Sequence, residues 1–256
     1  MSHPHTPIAL VTGGSRGLGR SAVLQLAARG VDSILTYQRH EADAHDVVAQ
    51  VQALGRRAVA LQLDMADSAR FAAFADQVRQ ALHTTWQRTD FDHLVNNAGM
   101  GVAHASLAEV SEADVDLMYQ VHLKGPLLLT QKLLPLMRDG GRILNTSSGL
   151  ARFSLPGYGA YAVMKGAVEV MTRYMAKELG ARGIAVNTIA PGAIATDFGG
   201  GRVRDDAQLH AFVASQTALG RVGLPDDIGH AVAALLTEPQ GWINAQRIEV
   251  SGGMYI

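Results

Sequence analysis

Ile8-Ala-Leu-Val-Thr-Gly-Gly-Ser-Arg-Gly-Leu-Gly19 is the stretch that decides the fold class. Its first four residues, Ile8–Val11, are continuously apolar, as in a strand covered on both faces. Glycines follow at 13, 17 and 19, where a tight turn and close approach of the backbone to a ligand need the missing Cβ. The amphipathic segment Leu18–Arg29 then reads as a helix. Its free N–H groups and positive dipole end favour an anion. Strand, turn and helix together read as a cradle for a pyrophosphate; a glycine turn of purely structural use is the alternative.

Outward from this unit, short β-branched runs alternate with longer helical patterns. Strands are expected near Ile8–Val11, Ser33–Tyr37, Ala58–Leu63, His93–Asn96, Arg142–Thr146, Ile184–Ile189 and Arg247–Val250. Helices are expected over Leu18–Arg29, Glu41–Leu54, Ser68–His83, Glu112–Met137, Tyr158–Arg182 and Pro225–Leu236. This alternation predicts an α/β fold: a Rossmann-type, doubly wound sheet of about seven parallel strands between two helical layers. One domain over 1–256 is expected, with a flexible polar tail at 1–7. Ser148–Gly157 and Pro191–Ala218 break the rhythm beyond strand ends, so 191–218 is a candidate substrate lid.

Composition narrows the function classes. The 256 residues are 48% hydrophobic and 18% charged, with net charge −1, which suits a large core. The lack of a basic run argues against nucleic acid as main partner. No apolar stretch reaches membrane-spanning length. With no cysteine, disulfides and thiolate chemistry are excluded. The polar start lacks a signal peptide's apolar core, so a cytoplasmic protein is expected. His3 and His5 read as part of the tail. His104, His210 and His230 are scattered, and no metal site is expected.

Tyr158-Gly-Ala-Tyr-Ala-Val-Met-Lys165 carries the chemistry. On a helix, Tyr161 and Lys165 stack on one face. A Lys charge at ~5 Å and effective dielectric ~20 favours the phenolate by roughly 3 kcal/mol, about two pKa units. That would bring the phenol toward the range of a general acid/base. An ordinary helix face is the alternative for the pair alone.

Several ordered motifs accompany the pair. They are Thr12–Gly19; Asp64 after the third strand; Asn96-Asn-Ala-Gly99 after the fourth; Ser148 before Tyr161; and Pro191-Gly192 with Thr196 after the sixth. In this order, over nearly the whole chain, the sequence resembles the short-chain dehydrogenase/reductase family, in its single-domain branch. The likeness is to reductases such as 3-oxoacyl-carrier-protein reductase. The resemblance implies that Tyr161 is the acid/base and that Ser148 holds the substrate oxygen. Lys165 would bind the nicotinamide ribose and lower the Tyr pKa. Cofactor contacts are implied at Gly13, Ser15, Arg16, Gly17, Leu18 and Gly19 of the cradle. Asp64 would meet the adenine amino group, and Asn97, Ala98 and Gly99 would lie along the adenosine. Pro191, Gly192, Ile194 and Thr196 would flank the nicotinamide. Asn96 would brace the central sheet. Asp64 as a helix cap and Ser148 as a turn residue are the structural alternatives.

Charge decides the expected cofactor. An NAD enzyme usually carries an acid at the end of strand two. Tyr37 stands there, with no acid before Glu41, while Arg16 and Arg39 offer cations for an extra phosphate. NADP(H) is therefore expected.

One position departs from the family. In Val121-His-Leu-Lys-Gly125, His122 replaces the usual Asn, whose backbone carbonyl holds a proton-relay water. His122 either passes the proton, as a fourth catalytic residue, or only packs. The expected reaction is reduction of a small or medium ketone to a secondary alcohol. Met100, Phe153, Phe198 and Phe212 are candidate pocket or lid residues. An oxidative alcohol dehydrogenase and a non-catalytic NADP-binding protein are the alternatives. A homo-oligomer, by resemblance a tetramer, is expected to pair the helices Glu112–Met137 and Tyr158–Arg182.

Overall fold

The computed structural model describes residues 6–102, 106–238 and 242–256, so His3, His5 and His104 lie outside the described residues. The strands are β1 Ile8–Val11, β2 Asp32–Tyr37, β3 Ala58–Gln62, β4 Phe91–Asn96, β5 Met137–Thr146, β6 Ala185–Pro191 and β7 Arg247–Val250. The helices are α1 Gly17–Ala28, α2 Glu41–Ala53, α3 Phe71–Ala81, α4 Glu112–Tyr119, α5 Gly125–Leu133, α6 Gly159–Leu179, α7 Arg202–Asp205, α8 Ala207–Ser215 and α9 Pro225–Thr237. The strands form one parallel sheet in the order β3-β2-β1-β4-β5-β6-β7. The winding direction reverses between β1 and β4. A crevice opens there beyond the strand ends, where ligands bind in such sheets.

Both sheet faces are covered, which explains the continuous apolar strands. Ile8, Leu10, Ile34, Leu94, Ile143 and Val186 join the core with α3, α5 and α6. Their neighbours Ala9, Val11, Leu35, Val95, Leu144 and Ile189 point the other way, to α1, α2 and α9. Helices α1 and α9 touch closely because Gly229 has no Cβ; one there would sit 2.1 Å from Ser21 Oγ. Ser21 Oγ instead donates to Asp226 Oδ1 at 2.5 Å.

Three expectations need revision. The helix expected over Glu112–Met137 is broken into α4, a π turn at Gln120–Lys124, α5 and a 3₁₀ turn at Leu134–Leu136, and Met137 already belongs to β5. Proline is the cause: Pro126 has no N–H for the carbonyl of residue 122, and Pro135 stops the second segment. The region 191–218 is more ordered than expected. It holds α7, α8 and a 3₁₀ turn Phe198–Gly201 whose three glycines have φ of 61°, 77° and 77°. Thr6 and Pro7, expected in the tail, are tied to the sheet. Pro7 O accepts from Asp32 N at 2.9 Å, and Thr6 O from Arg88 Nη1 at 3.1 Å.

Val115, Tyr119 and Leu127 on α4 and α5, and Val163, Val170 and Tyr174 on α6, remain exposed. Among the described residues no helix is long and apolar enough to cross a membrane. Nor do three or more His, Asp or Glu group there as a metal site would require.

Candidate active site

The glycine turn after β1 lies in the crevice, and its glycines are sterically required. Gly13 and Gly17 have φ of 65° and 56°, and a Cβ on Gly19 would lie 2.1 Å from Gly13 O. Thr12 is fully buried and ties this turn to the end of β4. Its Oγ1 accepts from Asn97 N and Ala98 N, each at 3.0 Å, and its carbonyl accepts from Asn97 Nδ2 at 3.0 Å. Gly13 packs on Ala98, where a Cβ would come within 2.9 Å of Ala98 Cα. No side chain caps α1, which follows Arg16, so its first N–H groups have no side-chain acceptor. Uncapped N–H groups beside a tight glycine turn are chemistry suited to an anion. Ser15 is buried within the turn, and Leu18 turns into the core.

The ends of β2 and β3 border the cradle. Burial, then the nearby Glu41 carboxylate, raises the Tyr37 pKa. Arg39 is exposed beside it. Asp64 Oδ2 accepts from Gln38 Nε2 at 2.8 Å, and Oδ1 from Ala66 N at 2.9 Å. Asp64 thus closes a turn onto Ala66 and does not cap a helix, since Asp67 holds the cap position before Ser68, and its carboxylate stays exposed.

Across the crevice, α6 presents Tyr161 and Lys165 one turn apart, both buried. Ser148 follows β5, and its hydroxyl lies near enough to the Tyr161 phenol to lower its pKa. Ser148 Oγ accepts from Leu150 N at 3.2 Å, so the turn-stabilising alternative is present. Lys165 Nζ lies 5.5 Å from the Tyr161 ring centre and donates to Thr146 O at 2.7 Å. That anchor is a backbone carbonyl, invisible to motif reading. Burial sets the electrostatics. It raises the Tyr161 pKa above the ordinary tyrosine value, against the lowering effect of the Ser148 hydroxyl. It also lowers Lys165 to about 7. The expected drop in the Tyr161 pKa is thus outweighed, and the phenol is held protonated.

His122 sits in the π turn, with its ring edge-on to Tyr161 at 5.1 Å between centres. Nε2 lies 2.7 Å from Met100 O, which fixes it as the donor and leaves Nδ1 buried without a hydrogen-bond partner. Burial, then the Lys165 charge, lowers its pKa to about 3, against the Met100 carbonyl. The ring is neutral at working pH and does not titrate there. We expect His122→Asn to keep kcat within about threefold, with an unchanged pH profile, because the backbone freed by Pro126 is retained. A loss above about thirtyfold with an altered profile would restore the imidazole as a relay.

Beyond β6, Gly192 meets the β7 end, where a Cβ would lie 2.8 Å from Ser251 Cα. Gly192 N donates to Val250 O at 3.0 Å, next to the buried Pro191. Ile194 bridges to Gly223. Thr196 sits against Gly17, whose Cβ would be 3.8 Å from Thr196 Cγ2, and its Oγ1 accepts from Phe198 N at 3.2 Å. Asp197 faces Arg16 at 3.7 Å and also pairs with Arg204. Phe198 lies over the site: its ring is 5.6 Å from that of Tyr161, and it packs on Gly101. Phe153 stacks instead on Tyr255 at 4.8 Å, and Phe212 is half exposed on α8. His210 and His230 bond nearby backbone carbonyls, Val203 O and Asp226 O. Asn96 Nδ2 bonds Thr130 and Asn145 at 3.1 and 2.8 Å, bracing the sheet below the crevice.

The fold agrees with comparison to known proteins. Residues 13–255 match the family profile described as enoyl-(acyl carrier protein) reductase. A short-chain type dehydrogenase/reductase of Picea abies is 34% identical, over 96% of this chain and 91% of that one. The structure described as the promiscuous reductase LugOII, which catalyses keto-reduction at C1 during lugdunomycin biosynthesis, superposes with TM-score 0.92. It is 37% identical and covers 98% of both chains. The angucycline C-6 ketoreductase LanV with bound NADP superposes with TM-score 0.92 at 32% identity, covering 97% of this chain and 95% of that one. The chain belongs to the short-chain dehydrogenase/reductase family of oxidoreductases.

Proposed function

We propose that the protein is an NADP(H)-dependent ketoreductase, turning a ketone into a secondary alcohol with Tyr161 as proton donor. The observation that carries this reading is the buried Tyr161–Lys165 pair one turn apart on α6, with Nζ 5.5 Å from the Tyr161 ring centre. The cradle residues fit a dinucleotide: contacts of Gly13 with Ala98 and of Gly19 with Gly13 O leave no room for a Cβ and keep the turn tight, and no side chain caps the start of α1. Gly13 to Gly19 and the α1 N-terminus would hold the pyrophosphate, and Lys165 the ribose beside Tyr161. Thr196 and Ile194 would flank the nicotinamide, and Asp64 and the Asn97–Gly99 backbone the adenosine. When bound, the nicotinamide supplies the hydride. The chain does the rest. Ser148 and Tyr161 hydrogen-bond the carbonyl oxygen, and the Tyr161 phenol gives up its proton as negative charge grows there. Lys165, cationic below about pH 7 in the free protein, stabilises the phenolate left behind.

Arg16 and Arg39 support NADP(H), and the bound NADP in the LanV structure agrees with it. We expect Arg16→Ala with Arg39→Ala to raise KM for NADPH about a hundredfold. Two charge-assisted bonds of about 1.5 kcal/mol each would be lost. KM for NADH should move less than threefold. Equal changes for both cofactors in steady-state assays would remove the phosphate role.

The apolar wall of Phe198 and Met100 favours a cyclic or aromatic ketone, and the keto-reduction by LugOII and LanV supports a ketone substrate. An NADPH-oxidation screen over cyclic and aromatic ketones, β-keto thioesters, quinones and sugars tests the reading. Cofactor binding with no turnover of any carbonyl would sink it. The apolar residues left exposed on α4, α5 and α6 support a homotetramer, which light scattering of the purified chain reads directly.

A further inference from the structure

Ser148 needs more than its own loop to stay aimed at Tyr161. Its hydroxyl faces the crevice chemistry, and its main chain is gripped from behind. Arg247 on β7 donates to Ser148 O through Nη2 at 3.2 Å. Through Nε it bonds Glu169 Oε1 at 2.7 Å, and through Nη1 Glu249 Oε2 at 2.7 Å. Glu169 in turn accepts from Ser147 Oγ at 2.7 Å. Arg247 and Glu169 are each less than a quarter exposed. Glu169 follows Tyr161 and Lys165 at four-residue steps on α6, so it continues their stripe by one more turn. A guanidinium with three sides committed is a rigid clamp, because its planar fork fixes direction as well as charge.

We propose that Arg247 and Glu169 form a positioning pair for catalysis. They lock the Ser147–Ser148 backbone to the helix that carries Tyr161 and Lys165, and thereby set the angle of the Ser148 hydroxyl. This rests on the ketoreductase reading of Ser148. Neither residue touches the reacting atoms; each acts through the serine. Glu249 and Arg152 extend the ladder, since Arg152 bonds both Glu249 oxygens and the carbonyls of Met254 and Tyr255. The last residues of the chain are thus tied to the same serine loop.

A double-mutant cycle separates positioning from plain structural support. The variants are Arg247→Met, Ser148→Ala and their combination, assayed with NADPH and the ketone reduced fastest in the screen. Arg247→Met should lower kcat about thirtyfold, the scale of an ångström-size misplacement, with KM for NADPH within about twofold. In the Ser148→Ala background the same change should cost less than about threefold, since no hydroxyl remains to aim. Arg247→Lys should recover only part of the rate. Glu169→Gln, run through the same cycle, serves if Arg247→Met does not fold. Equal losses in both backgrounds, or a parallel loss of NADPH binding, would overturn the positioning role. A Ser148→Ala variant with wild-type rate, or no reduction of any ketone, would overturn the ketoreductase reading and this inference together.

Discussion

Tyr161→Phe is expected to lower ketone turnover about a thousandfold or more while NADPH binding, followed by fluorescence, stays within about twofold. The substitution removes one oxygen and keeps the ring. That ring packs edge-on to His122 and tilted against Phe198, at 5.1 and 5.6 Å between centres, so its place in the crevice is retained. The variant loses the proton donor and one of two hydrogen bonds to the developing alkoxide. General acid catalysis contributes roughly 10² to 10⁴-fold and a single oxyanion donor roughly 10² to 10³-fold. The two overlap in one group, so the losses do not multiply in full. Ser148→Ala removes only the second bond and should fall less, by about a hundredfold. Stability should change little, because Phe keeps the volume of the ring and its packing against His122 and Phe198. A Tyr161→Phe enzyme within tenfold of wild type would place the proton donor elsewhere.

The sequence carried the site where local backbone needs forced particular residues. Gly13, Gly17 and Gly19 are legible because each position rejects a side chain, by positive φ or by contact with Gly13 O. Tyr161 and Lys165 are legible because helical spacing makes them neighbours. Strand positions were readable because cover on both faces demands unbroken apolar runs. What escaped was set by distant partners. Lys165 is anchored by the Thr146 carbonyl, which no residue type announces. Arg247 and Glu169 lie 78 residues apart and meet only because β7 packs beside β6 at the end of the sheet. The break in the helix over Glu112–Met137 was present in the sequence, in Pro126, whose missing N–H denies residue 122 its helical partner. The electrostatic expectation failed for a related reason. A pairwise Lys–Tyr attraction was legible, whereas the desolvation that outweighs it depends on everything packed around the pair.

That desolvation makes Lys165 a residue the fold carries at a loss. Lys165→Met is expected to reduce turnover at least a hundredfold and weaken NADPH binding, yet to melt about 5 °C higher than wild type at pH 6.5. Burial lowers the ammonium from its ordinary value to about 7. At about 1.4 kcal/mol per pKa unit, holding the charge inside costs on the order of 5 kcal/mol relative to a neutral side chain. Met fills nearly the same volume without the charge. It leaves Thr146 O without its donor, which offsets about 1 to 3 kcal/mol. A net gain of about 2 kcal/mol corresponds to several degrees in a chain of this size. The pH dependence identifies the cause. Between about pH 7 and the ordinary lysine range the unfolded chain binds the proton that the folded chain has released, so wild-type stability rises with pH across that window. The variant has no such group. Its advantage should therefore be full below pH 7 and shrink steadily toward pH 10. Differential scanning calorimetry at several pH values reads this directly. A variant that melts lower than wild type at pH 6.5, or a gap that ignores pH, would show that Lys165 is held without strain. The expected pattern would mean that the fold gives up stability at this residue to keep a cation beside Tyr161.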